Sequence, residues 1–172
     1  MPVERRVILQ EEQLQLDGVL REFLKNSEAK GALLVDLSGA LICQQGFIQR
    51  FDTTSLAVLS AGTISSTKQM ARVIGESLFT DLFLQGKRDH IYLSLVGSEA
   101  VMVVIFDNST TLGLVRLYAK QAVRALRQVL MRVKSRNAKP QSLTNRPKMQ
   151  DPDAIPSSYF KPQNPKESEE SS

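Results

Sequence analysis

Histidine and cysteine, the residues that most often carry catalysis or metal binding, occur once each in this chain of 172 residues, as His90 and Cys43. One residue of each type cannot build a zinc site of cysteines and histidines. His90 opens an apolar run in alternation with Tyr92, which favours a structural polar residue over a catalytic one. Cys43 has no cationic sequence neighbour to lower its pKa, which favours a small buried side chain over a nucleophile. A single cysteine also excludes an internal disulfide.

The prominent carboxylates all have structural interpretations. Asp36 is placed to stabilise a turn at Ser38 and Gly39. Asp52 is predicted to cap the helix that follows it, and Asp107 is interpreted as a helix cap as well. No glycine-rich loop followed by Gly-Lys-Ser or Gly-Lys-Thr is present to hold a phosphate. We therefore predict that the chain is not an enzyme and has no catalytic residue, metal site, cofactor or small-molecule substrate.

Positive charge is concentrated in the C-terminal part of the chain, where residues 108–150 contain no acidic residue. The basic residues of this segment are Arg116, Lys120, Arg124, Arg127, Arg132, Lys134, Arg136, Lys139, Arg146 and Lys148. Such asymmetry indicates either an anionic partner or pairing with acidic groups elsewhere in the chain. No aromatic residue lies between Tyr118 and Tyr159 to stack on bases. We favour a solvated helix face over contact with nucleic acid or a membrane.

Periodicity and turn signals predict one α/β domain with a five-stranded antiparallel sheet. The order is helix, two strands, helix, three strands, helix. The predicted elements cover residues 11–26, 32–37, 40–47, 52–76, 78–85, 90–96, 100–106 and 112–137. The run 100–106 is apolar throughout and should lie centrally in the sheet. Hairpin connections would allow one sheet face and one edge strand to stay free for self-association.

Both ends of the chain are predicted to lie outside this domain. Residues 1–10 are interpreted as an N-terminal extension, and the domain as residues 11–137. Residues 138–172 are rich in proline and are predicted to be disordered. No apolar run approaches the ~20 residues of a membrane span. The N-terminus also lacks a secretory signal, so we expect a cytoplasmic protein.

The predicted middle helix, residues 52–76, is apolar on more than one side. The stripe expected to face the core is Leu56, Leu59, Thr63, Met70, Val73 and Ile74. The opposite side carries Ala57, Val58 and Ala61, followed by Ser65, Lys68, Gln69 and Arg72. A helix that is apolar all round at one end is covered on both sides, so we expect a partner there. For Lys68 and Arg72, a solvated pair is favoured over an arginine supplied in trans to a nucleotide.

Three blocks of sequence resemble the Roadblock/LC7 family, and within it the MglB-like group. They are residues 51–62, residues 96–108 and residues 112–117, which read FDTTSLAVLSAG, VGSEAVMVVIFDN and LGLVRL. The resemblance extends from about residue 11 to residue 135. It implies a Roadblock/LC7 sandwich that forms a homodimer, with sheets joined edge to edge and the middle helices side by side.

The same resemblance implies the partner. MglB-like dimers bind a Ras-like small GTPase of the MglA-like group in bacterial cell polarity and motility. They stimulate GTP hydrolysis by reshaping the GTPase and donate no catalytic residue. The implied partner surface is Ala61, Ser65, Lys68, Gln69 and Arg72, and the implied dimer interface contains Ala57 and Val58. The alternative is a Roadblock scaffold that links polarity proteins without changing hydrolysis.

Overall fold

A computed structural model describes residues 6–139, which form three helices and five strands. The elements are α1 (Gln10–Ser27), β1 (Gly31–Asp36), β2 (Leu41–Gly46), α2 (Thr53–Val73), β3 (Asp81–Leu84), β4 (Asp89–Val96), β5 (Ala100–Asp107) and α3 (Leu112–Ala138). Their order confirms the predicted fold class. Apart from its first two residues, the segment 138–172, predicted to be disordered, lies outside the described residues, and so do residues 1–5.

The five strands form one antiparallel sheet in the order β2-β1-β5-β4-β3. β5 is the middle strand, and seven of its eight residues are buried. The uniformly apolar run at 100–106 was predicted to be central, and this is confirmed. A strand with neighbours on both edges and helices on both faces meets apolar groups on each side, so every position favours an apolar side chain.

Helices cover both faces of the sheet. α1 and α3 pack on one face, where Leu34, Met102 and Val104 meet residues such as Leu20 and Leu126. α2 packs on the other face, over the alternate residues of the same strands. The prediction that one sheet face could stay free was therefore wrong, because helices cover both faces and each face has its own core. The two edges of the sheet are β2 and β3.

Local signals for turns and helix ends are mostly confirmed. The Asp52 carboxylate accepts hydrogen bonds from the Ser55 amide at 3.0 Å and the Ser55 hydroxyl at 2.6 Å, which caps α2. The Asp36 carboxylate accepts from the Ser38 amide at 2.8 Å, in the β1–β2 turn. Gly75 follows α2 with φ +79°, a left-handed conformation that suits a residue without a Cβ.

The interpretation of Asp107 as a helix cap was wrong. The Thr111 hydroxyl caps α3 instead, by accepting from the Leu114 amide at 3.2 Å. Asp107 ends β5, where its carboxylate accepts from the Ser109 amide at 2.9 Å and lies 2.9 Å from the Lys30 ammonium. A residue this far before α3 cannot reach the free amides of the first turn.

Candidate functional site: the outer side of α2

α2 contacts the sheet mainly through small side chains, with Ile64 as the large exception. Its buried residues are Ala57, Ser60, Ala61, Ile64, Thr67 and Ala71. They meet a core cluster in which Leu33 and Val103 supply the bulk. The Thr67 hydroxyl donates to the Ile64 carbonyl oxygen at 2.9 Å, which satisfies its buried polar group. Because most of the buried residues of α2 are small, the helix can lie close to a sheet surface that already carries large side chains.

This packing rotates α2 away from the predicted orientation, although Leu56 packs against the core as predicted. Leu59, Met70 and Ile74, expected in the core, are 66%, 61% and 68% exposed. Ala57 and Ala61, expected on the outer side, are 0% and 6% exposed. The prediction placed these two alanines on the outer side of the helix, where a partner could bind them, and this placement was wrong. The face of α2 that was predicted to be buried and the face that is buried are both apolar, so periodicity could not distinguish them. The face with the smaller side chains packs on the sheet, because little space is left between the helix and the large side chains of the strands.

One side of the exposed arc is an apolar strip. We define the apolar strip of α2 as Leu59, Thr63, Met70, Val73 and Ile74. Two polar side chains lie on this face, Thr63 and the exposed Ser66. Their hydroxyls donate back to the Leu59 and Gly62 carbonyl oxygens at 2.8 and 3.1 Å, so both are already bonded within the helix. Val73 is 85% exposed. Large apolar side chains that share one exposed helix face are typical of a protein–protein interface.

The other side of the arc is a polar strip. We define the polar strip of α2 as Ser65, Lys68, Gln69 and Arg72, all at the surface, with Lys68 half-buried. Val58, 56% exposed, begins the same side of the helix closer to its N-terminus. α2 contains no acidic residue, and Lys68 and Arg72 form no ion pair with any acid of residues 6–139. The two cations are therefore available to an anionic group outside the described chain.

His90 and Cys43 both have structural roles. His90 is 6% exposed, with Nδ1 accepting from the Gly86 amide at 3.2 Å and Nε2 lying 3.0 Å from the Asn108 side-chain oxygen. A ring nitrogen that accepts leaves Nε2 as the donor to Asn108. Cys43 is 6% exposed, and burial raises the pKa of its thiol to about 12. These environments support the interpretations based on sequence.

Several basic residues of α3 pair with groups inside the domain. The Arg136 guanidinium lies 2.7 Å from the Glu12 carboxylate of α1. Lys134 forms an ion pair with Glu99 in the β4–β5 turn, and Arg132 donates to the Gln15 side-chain oxygen at 2.5 Å. Pairing within the chain therefore accounts for part of the basic segment. Arg146 and Lys148 lie outside the described residues.

Neither a metal cluster nor a membrane-spanning helix is found in the described part of the chain. Residues 6–139 contain no group of three or more histidine, cysteine, aspartate or glutamate side chains arranged to hold a metal ion. No helix among them combines the length and apolarity that crossing a membrane requires. The two strips of α2 lie at the surface, and exposed apolar side chains beside cations that have no ion pair within residues 6–139 suit the binding of another protein.

Comparison with known proteins identifies the family. A family model described as the Roadblock/LC7 domain matches residues 16–106. The chain belongs to the Roadblock/LC7 family. Among solved structures it is similar to Myxococcus xanthus MglB, with 42% sequence identity, coverage of 74% of this chain and 96% of that one, and a TM-score of 0.70. It is also similar to the gliding protein mglB from Thermus thermophilus, with 29% identity, 74% and 97% coverage, and a TM-score of 0.70. An MglB described with a tetrameric arrangement is 28% identical, with 75% and 97% coverage and a TM-score of 0.72.

The site of this Roadblock/LC7 chain overlaps only partly with the residues predicted from sequence. Ser65, Lys68, Gln69 and Arg72 lie together on the polar strip, as expected. Sequence reasoning missed the apolar strip as a surface. The signal that could have found it is the helical spacing of the small residues Ala57, Ala61 and Ala71, because small side chains favour close packing of a helix on a sheet.

Proposed function

We propose that this chain is a homodimeric regulator of a Ras-like small GTPase of the MglA-like group, acting in the cytoplasm in bacterial cell polarity and motility. The observation that carries the proposal is the 42% identity to Myxococcus xanthus MglB across 96% of that chain. The exposed strips of α2 support it, because a regulator of this kind acts through a protein surface.

The dimer is proposed to form through the apolar strip of α2. A second copy would cover Leu59, Met70 and Ile74, which are otherwise surrounded by water. Val58 lies on the side of the polar strip near the N-terminus of α2, and it stays in the proposed interface because it is an exposed apolar side chain. Ala57 is removed from the interface because its side chain is fully buried. β3 is a sheet edge and carries Leu84, 44% exposed, which supports the edge-to-edge pairing implied by the family resemblance.

The GTPase is proposed to bind the polar strip. Lys68 and Arg72 lie one helical turn apart, so both can face a single acidic patch on the partner. Ser65 and Gln69 on the same strip supply neutral hydrogen-bonding groups. Ala61 contributes only its backbone region, since its side chain faces the sheet.

Acceleration is proposed to come from differential binding. If the regulator binds the hydrolysis-competent conformation of the GTPase more tightly, it raises the population of that conformation. A preference of roughly a hundredfold brings a conformation populated at about 1% to about half. No side chain of the regulator has to reach the nucleotide.

The test follows phosphate release from a purified MglA-like GTPase loaded with GTP, with binding measured in parallel. The wild-type chain should accelerate release. Lys68→Glu with Arg72→Glu should weaken binding at least about tenfold, because two attractive charges become repulsive. Lys87→Glu with Arg88→Glu changes the charge equally in the exposed β3–β4 turn and should leave binding and acceleration intact.

Two outcomes would contradict parts of the proposal. Wild-type binding without acceleration would favour the alternative, a scaffold that links polarity proteins. Loss of acceleration in Arg72→Lys with binding retained would indicate a donated arginine, since lysine keeps the charge but not the planar guanidinium.

A further inference from the structure

The outward face of α3 carries a basic strip, which we define as Lys120, Arg124 and Arg127. These residues are exposed and follow one another at spacings of four and three, so they line one helix face over roughly 10 Å. The helix buries its opposite face through residues such as Ala119 and Leu126. The strip therefore points away from the core.

The basic strip is distinguished from the other cations of α3 by its lack of partners. Arg132, Lys134 and Arg136 bond to Gln15, Glu99 and Glu12, and Arg116 lies 3.5 Å from Asp81. Lys120, Arg124 and Arg127 have no ion pair with any acid of residues 6–139. No acidic residue occurs in residues 108–150 to offset them along the chain. Their combined positive field is thus directed outward.

Apolar side chains are exposed on the same outer surface. Leu117 and Met131, 53% and 57% exposed, lie at either end of the basic strip on the same face of α3. Leu14 of the neighbouring α1 is 63% exposed and lies outside the buried face of that helix. The cations of the basic strip, with exposed leucine and methionine beside them, are complementary to a surface that offers both negative charge and an apolar interior.

We propose that the outer face of α3 binds the surface of an anionic phospholipid membrane. Lys120, Arg124 and Arg127 would contact the headgroups, while Leu117 and Met131 enter the boundary with the acyl chains. This contact is peripheral and needs no spanning segment. α1 carries four acidic residues and two basic ones, so the attraction to an anionic surface comes from α3.

The geometry favours a membrane over duplex nucleic acid. A helix that reads DNA enters the major groove and must protrude from the protein. α3 lies beside α1 on the same face of the sheet and contacts it, so it does not stand alone as a protruding helix. The exposed Leu117 and Met131 gain free energy by entering the acyl boundary of a bilayer, whereas a phosphate backbone offers them no apolar contact.

The proposed membrane face and the proposed GTPase face lie on opposite sides of the sheet. α3 covers one face and α2 the other. A chain bound to lipid through the basic strip would keep both strips of α2 open to protein partners. The lipid proposal rests on α3 alone and does not depend on the GTPase assignment.

The experiment is sedimentation of the full chain with vesicles. Vesicles of phosphatidylcholine with phosphatidylglycerol should bind the wild-type chain, and vesicles of phosphatidylcholine alone should not. Each basic residue near an anionic surface strengthens binding about fivefold, so Lys120→Gln, Arg124→Gln and Arg127→Gln together should weaken it about a hundredfold. Binding should also fall as salt is raised, because salt screens exposed charges. Thermal unfolding of the variant should match the wild type, since these side chains have no ion-pair partner in the described domain.

A matched control removes the same charge elsewhere. Lys87→Glu with Arg88→Gln lowers the net charge by the same three units in the exposed β3–β4 turn and should leave vesicle binding unchanged. The proposal is overturned if the wild-type chain ignores anionic vesicles, or if the control variant loses binding as the strip variant does. Binding to duplex DNA that the strip variant loses, without vesicle binding by the wild type, would assign the strip to nucleic acid instead.

Discussion

Lys30 Nζ lies 2.9 Å from Asp107 Oδ2, and this ion pair joins the start of β1 to the end of β5. The same ammonium lies 2.6 Å from Asp89 Oδ1 at the start of β4. One lysine therefore connects three adjacent strands at one end of the sheet. Hydrogen bonds from Lys30 hold the pKa values of both carboxyls below their ordinary value of 3.8, with further bonds from Ser109 acting on Asp107.

This cluster predicts a loss of stability in acid. Below about pH 4, an unfolded chain takes up protons on these carboxyls before the folded chain does. The free energy of unfolding therefore falls as pH drops from about 4 through the depressed pKa values, and the full contribution is present above about pH 4. Asp107→Asn should flatten this dependence, because asparagine does not titrate. Urea unfolding midpoints at neutral pH and at about pH 3 measure this loss of stability in the wild type and the variant. If the variant loses as much stability in acid as the wild type, Asp107 does not cause the pH dependence.

Gly46 is predicted to be intolerant of a side chain. Its φ is +100°, and a Cβ there would overlap the Lys30 carbonyl oxygen and lie 2.8 Å from Gly31 Cα. Gly46→Ala should lower the free energy of unfolding by about 2 kcal/mol or more, because backbone strain and overlap act together. A Cβ added to Gly18 in α1 would have nothing within 4 Å, so Gly18→Ala should stabilise by about 0.5–1 kcal/mol. Denaturant unfolding of both variants measures their stabilities. The prediction is contradicted if both variants are less stable, or both more stable, than the wild type.

The Cys43 thiol is predicted to be unreactive in the folded chain. Burial, and next the negative charge of Asp17, raise its pKa to about 12, and the side chain is 6% exposed. The thiolate is the reactive form, so an aromatic disulfide reagent at mildly alkaline pH should react only as the chain opens. The rate should increase strongly in denaturant. Fast stoichiometric reaction under native conditions would show that the thiol is accessible.

Substitutions on the buried face of α2 are predicted to affect folding stability, and substitutions on its exposed face are predicted to affect dimer formation. Ala61→Leu should cost about 1–3 kcal/mol of unfolding free energy, because it forces bulk between helix and sheet. Met70→Ser should change the stability of the monomer by at most about 0.5 kcal/mol, since the side chain is exposed. The Met70→Ser substitution should instead shift the monomer–dimer equilibrium towards the monomer. Urea unfolding and light scattering after gel filtration separate the two effects, and the reverse pattern would restore the orientation predicted from sequence.

Much of the fold is local and could be predicted. Asp52 caps α2 through atoms of the nearby Ser55, and the β1–β2 turn depends on Asp36 and its immediate neighbours. The central place of β5 follows from an uninterrupted apolar run, because only a strand covered on both faces favours that pattern. The buried residues of α3 include Val115, Ala119, Ala122, Leu126, Val129 and Val133, which recur alternately four and three residues apart, the spacing of one helix face.

The sequence by itself determined the family, the order of the elements, the central strand and the candidate helix, because each depends on short-range pattern. The tertiary structure decided which arc of α2 faces outward, since Ala57 and Leu59 both suit a core and only the volume of the opposing sheet distinguishes them. It also decided which cations are free. Arg136 and Lys120 are equivalent in a charge count. Within residues 6–139, Arg136 pairs with the carboxylate of Glu12, which is far from it along the chain, and Lys120 pairs with none.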